Sequence, residues 1–423
     1  MCYNKAMERK EGFLKRNGSA LKFAAVTMGS SLLLFVGVPA VVGNITLSEY
    51  TNDKQIEYVA DELDGDLSYM TEKQNKYTRL QHNGKDPIYV CFDKSLNENE
   101  KQCARNALDY MFELVGGINP KYKYKIVDKT DYNLHFLQSR IYFTTEEKTK
   151  GKNEKAKGYI DSFGNPTSMY TSKCTMMNVK IVQNRSLVND QDMQELQYTY
   201  LHELVHAFGI DDVYLTDTQR KHYGNTFINS FVGIKTGMLT PNDYKCLISL
   251  YAEKEKDDNA QKEAIAKYKT MVEQYEEKYY QNYADKIIED YEIVNQMKSL
   301  NYKWQTHGSF STSDGKYFNY LYKIIAKDGQ YSIEIYDMDN KLIDSATGEA
   351  IMSSGVVIFK DVQLKEGLVP GVKGNPNEFI QDLAMVQKET LVHLIDIASG
   401  HDIFGITYFD RTPTYGSDPE ISK

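Results

Sequence analysis

Excess positive charge is the first thing this 423-residue sequence lacks: 50 Lys and Arg stand against 59 Asp and Glu, for a formal net charge of -9. Nucleic-acid binding needs a basic footprint, so no nucleic-acid partner is expected. Tryptophan is nearly absent, with Trp304 alone beside 33 tyrosines. Most of those tyrosines read as half-buried strand and helix residues, and a carbohydrate-stacking surface is the lesser reading. Cysteine is sparse, at five residues: Cys2, then Cys91, Cys103, Cys174 and Cys246. None is in CxxC spacing, which excludes a tight cysteine zinc knot. The last four allow two disulfides in three pairings, or they stay free buried thiols, and the sequence leaves this open. No proline occurs between Pro241 and Pro370, so long helices are permitted there. A second long apolar run is also missing.

The one apolar run, 23–42, follows Lys5, Arg9, Lys10, Lys15, Arg16 and Lys22. It has the length of a membrane span, and its basic flank keeps the N-terminus in the cytoplasm. Residues 1–43 therefore read as a cytoplasmic tail and membrane anchor, with the rest outside the cell, or as a signal cut near residues 40–43. No cysteine follows closely, which argues against a lipoprotein anchor. Residues 44–85 are polar, with helical patches at Ile56, Val59, Ala60 and Leu63. They read as a stalk or a pro-like segment covering a site.

Beyond Pro87 the pattern sharpens. Strands are expected at 88–92, 122–127, 134–143, around Tyr159 and at 176–182. A helix is expected at 97–115, stopped by Gly116-Gly117. Strand, helix, several strands and a second helix imply a mixed sheet with helices packed on it. The second helix, from about Gln191 to Phe208, carries His202-Glu203-Leu204-Val205-His206. Histidines four apart point the same way from a helix and can reach one small cation. Glu203 can lean toward a water in an open coordination position. That is the HExxH arrangement for Zn2+ with a carboxylate base. Gly209 can end the helix, and Asp212 just beyond it offers a third ligand, with Asp211 and His222 as substitutes. The HExxH lies far from the apolar run, which excludes an intramembrane protease.

Downstream, Gly237-Met238-Leu239-Thr240-Pro241 leads into a helix capped by Thr240 and bearing Cys246, Leu247, Leu250 and Tyr251. The HExxHxxGxxD motif, a methionine turn and a short closing helix together resemble the metzincin zinc metallopeptidases. More narrowly the chain is similar to the snapalysin type, whose third ligand is aspartate. Leu239 to Tyr251 is similar to the helix that closes matrixin-like catalytic domains. The resemblance covers 86–252. It implies zinc on His202, His206 and Asp212, Glu203 as general base, and Met238 as the structural methionine beneath the metal. Thr240 departs from the tyrosine usual two residues after that methionine.

From Ala260 to Leu300 apolar residues recur at helical spacing. This connector, 253–305, reads as one helix or a broken pair. It packs on the catalytic domain, self-associates through its near-heptad stripe at 260–300, or stays solvated. From Tyr317 the period becomes two, with strands at 320–324, 331–335 and 356–358, a helix at 379–388 and strands at 391–397 and 403–409. The expected class is α+β: a metzincin-like catalytic domain with a twisted mixed sheet and active-site helix, a long helical segment, and a β-rich domain at 306–423. The expected activity is extracytoplasmic zinc-dependent hydrolysis of peptide bonds in a protein or peptide substrate. Two rivals remain open: a zinc amidase acting on cell-wall peptides, and a membrane-anchored adhesion or scaffold protein with a vestigial metal site.

Overall fold

Ile88-Tyr89-Val90-Cys91-Phe92 is a continuous apolar run, and strand β1 (Ile88–Phe92) is buried over its first four residues. Such runs occupy the interior of parallel sheets, where helices cover both faces. In the computed structural model β1 indeed pairs in parallel with β2 (Tyr124–Ile126) and with β3 (Arg140–Glu146). The structure describes residues 53–65, 79–80, 86–134, 139–147, 157–164, 176–189, 191–210, 227, 237–292, 299–311, 317–366, 381–388 and 391–397. All lie in the second of two units, 51–423. The apolar run 23–42, Asp211, Asp212, His222, the loop 371–377 and the expected strand 403–409 lie outside the described residues. Among the described residues no helix is long and apolar enough to cross a membrane.

The first sheet has the order β2-β1-β3-β5-β4, with β4 (Gly158–Gly164) and β5 (Met176–Asn184) completing it. β5 is parallel to β3, whereas β4 runs antiparallel to β5 and forms an edge. Helix α2 (Glu98–Ile118) opens with a capping box between Asn97 and Glu100 and buries Cys103, Ala107, Met111 and Val115 four residues apart, the spacing of one helix face. The strand expected at 134–143 begins later than the sequence suggested. Helix α3 (Lys129–Leu134) occupies the approach, started by Asp128, whose carboxylate accepts the Asp131 N–H at 2.8 Å. Local capping overrode the apolar run. Cys91 and Cys103 are buried free thiols, and Cys246 is buried as well.

Helix α1 (Asp53–Leu63) falls in the segment read as stalk or cover. It packs on α5 (Pro241–Tyr251) and on α6 (Asp258–Asp290). Ile56 and Val59 are wholly buried there. α6 is one unbroken helix of 33 residues. Its stripe of Ile265, Tyr268, Val272, Tyr275, Tyr279 and Tyr283 is buried in the core of its own chain.

The remaining strands form a seven-stranded antiparallel sheet in chain order: β6 (Tyr302–Ser311), β7 (Tyr317–Lys327), β8 (Gln330–Tyr336), β9 (Leu342–Ser353), β10 (Val356–Val362), β11 (Gln381–Lys388) and β12 (Leu391–Asp396). Strand alternation puts successive residues on opposite faces. Val356, Ile358, Ala384, Val386 and Ile395 join the core that holds the helices. Val357, Phe359, Leu383, Met385 and Leu394 join a second core with Trp304, Tyr322 and Ile333. The sheet therefore curls over its own apolar face while its outer face meets α6. Of residues 379–388, read as a helix from sequence, the described ones, 381–388, form strand β11 instead. Leu383, Ala384, Met385 and Val386 are each wholly buried, so burial on both faces decided against their helix propensity. The class is mixed α+β.

Candidate metal centre

Helix α4 (Met193–Ala207) carries the two histidines. Asp192 caps it by accepting the Glu195 N–H at 2.9 Å. Leu196, Tyr200, Leu201, Leu204 and Val205 are buried on one side. The Tyr200 hydroxyl donates to Gln183 Oε1 on β5 at 2.8 Å, and its ring meets Phe143 of β3 edge-on at 5.5 Å. These contacts fix the helix to the sheet and leave His202 and His206 half-buried on its flank.

An α-helix ends with carbonyls that lack partners within it, and here each of the last five lies within reach of a donor. Phe208 N–H reaches Leu204 O at 3.0 Å, Ile210 N–H reaches Val205 O at 3.2 Å and Gly209 N–H reaches His206 O at 3.1 Å. The second and third of these bonds are the Schellman pattern, made possible by a φ of 107° at Gly209, where a side chain would be strained. Leu80 N–H reaches Ala207 O at 2.7 Å. The Tyr251 hydroxyl sits 3.1 Å from both Phe208 O and Leu80 O. The chain before the first sheet and the closing helix thus both hold the end of the histidine helix.

This turn has a chemical consequence. It brings Ile210 O within 2.8 Å of His206 Nδ1. A carbonyl can only accept, so the Nδ1 carries the proton and the Nε2 presents its lone pair. Metal-binding histidines are oriented in this way by their second nitrogen. The two Nε2 atoms are 3.2 Å apart, with the rings nearly perpendicular at 85°. Two nitrogens bound at about 2.0–2.1 Å to a tetrahedral zinc ion stand about 3.3 Å apart. The pair therefore fits zinc. Among the described residues no cluster of three or more His, Cys, Asp or Glu is placed to hold a metal; Asp212, Asp211 and His222 are outside them.

Glu203 is 5 % exposed. The first residue of β4 approaches it so closely that a Cβ on Gly158 would lie 3.2 Å from Glu203 Oε1 and 2.9 Å from Thr199 Cγ2. Lys157 forms an ion pair with Glu195 beside this contact. An edge strand thus runs along the helix face bearing Glu203. Sequence reasoning passed over Gly158; its place between a Lys-rich loop and a strand was the only visible signal.

On the other flank Tyr198 lies 6.3 Å from the His202 ring and 4.9 Å from the Phe227 ring, and its hydroxyl donates to Phe227 O at 3.2 Å. Phe227 N–H donates to Asp243 Oδ2 at 2.7 Å. The same oxygen accepts the Thr240 N–H at 2.9 Å and the Thr240 hydroxyl at 2.8 Å, within the capping box of α5. Burial pushes the Asp243 carboxyl up to about 6 against these bonds. The Thr240 cap and the Pro241 start are as the sequence implied. Gly237 lies beside α4, its Cβ position 4.0 Å from Gln197 Nε2. The half-buried Met238 accepts a hydrogen bond at Sδ from Asn282 Nδ2 of α6 at 3.1 Å.

The structure thus brings together His202 and His206, places Glu203 one residue along the same helix, and sets Met238 on α6. Compared with known proteins, the chain matches no family model and no curated protein.

Proposed function

We propose that the chain is a zinc-dependent endopeptidase acting outside the cytoplasm, with His202, His206 and Asp212 as zinc ligands. The observation that carries this reading is the 3.2 Å separation of the two Nε2 atoms, together with the Ile210 carbonyl that directs the His206 lone pair outward. His202, His206 and Asp212 would hold the zinc ion, which when bound would supply Lewis-acid chemistry, acidifying a water molecule and polarising the scissile carbonyl. The Glu203 carboxylate takes the proton of the attacking water and returns it to the leaving amine. The packing of Glu203 against Gly158 limits where that carboxylate can point. β4, an edge of the first sheet among the described residues, offers backbone groups to which an extended peptide can add as a further strand. This favours a peptide over a compact small molecule. The run at 23–42 ties the chain to the membrane with the site on the far side.

The test is zinc content and peptidase activity of the protein, wild type beside Glu203→Ala, on unfolded protein and on cell-wall peptide fragments. The reading requires zinc in both proteins and cleavage of unfolded protein by the wild type alone. Cleavage of wall fragments alone would replace the endopeptidase reading with an amidase. Equal cleavage by the two proteins would remove Glu203 from the mechanism.

A further inference from the structure

The long helix α6 follows the region that resembles a catalytic domain, yet it grips the loop that precedes the closing helix. Tyr275 donates its hydroxyl hydrogen to Leu239 O at 2.8 Å. Leu239 N–H donates to the Tyr110 hydroxyl oxygen at 2.8 Å. The two hydroxyls are 2.6 Å apart. With the Tyr275 hydrogen committed to the carbonyl, Tyr110 must donate to Tyr275. The three bonds close a ring in which both backbone groups of Leu239 are used, and each bond polarises the next. Burial raises both phenols, so both remain protonated donors. The Tyr275 ring also packs on Tyr244 of α5 at 4.3 Å. Seven residues along, Asn282 holds the Met238 sulfur at 3.1 Å. Residues seven apart lie on one helix face, so a single face of α6 holds two consecutive residues of the loop.

The loop leads on to the histidines. Thr240 follows Leu239 directly and binds Asp243, which holds Phe227. Phe227 holds Tyr198, whose ring lies beside His202. We propose that Tyr275 and Asn282 are positioning residues of the metal centre, setting the loop at 237–240 against the histidine helix. The catalytic unit then extends through α6. The inference rests on the zinc reading above.

The test uses the full chain and two substitutions, Tyr275→Phe and Asn282→Leu, the second at the partly buried contact with Met238. Zinc affinity is read by competition with a chromophoric chelator, and kcat and KM are read separately beside a thermal melt. Loss of an outer partner of a metal ligand costs about 10–100-fold in metal affinity or activity. These residues act at greater remove, so roughly tenfold is expected in kcat with KM unchanged. Zinc affinity should fall for both variants at temperatures where both are folded. If the wild type binds zinc and both variants match it in affinity and kcat, the positioning role is overturned and the zinc reading stands. Losses that only track the unfolded fraction overturn it too. A wild type that binds no zinc overturns the zinc reading, and this inference with it.

Discussion

Ile56→Ala tests whether the chain before the first sheet is a removable cover or a built-in part of the fold. Ile56 is 0 % exposed, as is Val59, and Leu63 is only 5 % exposed. They place α1 in the core shared by the closing helix and α6. Truncating a wholly buried isoleucine to alanine costs about 2–5 kcal/mol, from lost transfer energy and the cavity left behind. α1 packs on α5 and α6, and a loss of about 3 kcal/mol, within that range, is the expected figure. At about 2 °C per kcal/mol for a large core, the melting temperature should fall by roughly 6 °C. Activity per folded molecule at 25 °C should not change. The assay is a thermal melt of the full chain in mild detergent, paired with peptidase activity. An unchanged melt with raised activity would refute the reasoning, because it would mean that α1 covers the site and leaves it easily.

Two further substitutions probe the site from either side. Gly158→Ala should cut activity at least tenfold with zinc retained, because its Cβ would press on Thr199 Cγ2 at 2.9 Å and displace the Glu203 carboxylate; wild-type kcat in a zinc-loaded variant would show that the contact is idle. Asp243→Asn should flatten a pH dependence of stability. The wild-type carboxyl is raised from 3.8 to about 6, so the folded state binds the extra proton and stability is lost as pH rises from about 4 to about 6. Asp382, pushed to about 7 by burial, gives a slope of the same sign, so the difference between wild-type and Asp243→Asn melts isolates Asp243. A difference that does not vary with pH would contradict the assignment.

What could be read from the sequence follows physical lines. The histidine helix was legible because two signals agreed: apolar residues at helical spacing from Leu196 to Val205, and a glycine where the helix stops. The strand at 88–92 and the Thr240 cap were legible for the same reason, as local patterns sufficient to set local structure. The strand at 381–388 was misread because a segment buried on both faces loses its alternation and leaves Ala, Met, Gln and Lys to suggest a helix. β9 went unread because its larger apolar residues come in adjacent pairs, Leu342-Ile343 and Ile351-Met352, and not in alternation. The long-range parts of the site left no sequence trace. The Leu80 bond to Ala207, the Tyr251 hydroxyl between two carbonyls and the ring through Tyr110, Tyr275 and Leu239 all join residues far apart in the chain. Their residue types alone are those of any buried tyrosine or leucine.

The most direct test of the zinc reading is the zinc-edge X-ray absorption spectrum of the full chain after dialysis against zinc-free buffer. Two imidazoles and oxygen donors predict a single nitrogen and oxygen shell at about 2.0–2.1 Å with the outer scattering of two histidine rings. No retained zinc, or a sulfur shell at about 2.3 Å, would contradict a centre built on His202, His206 and Asp212.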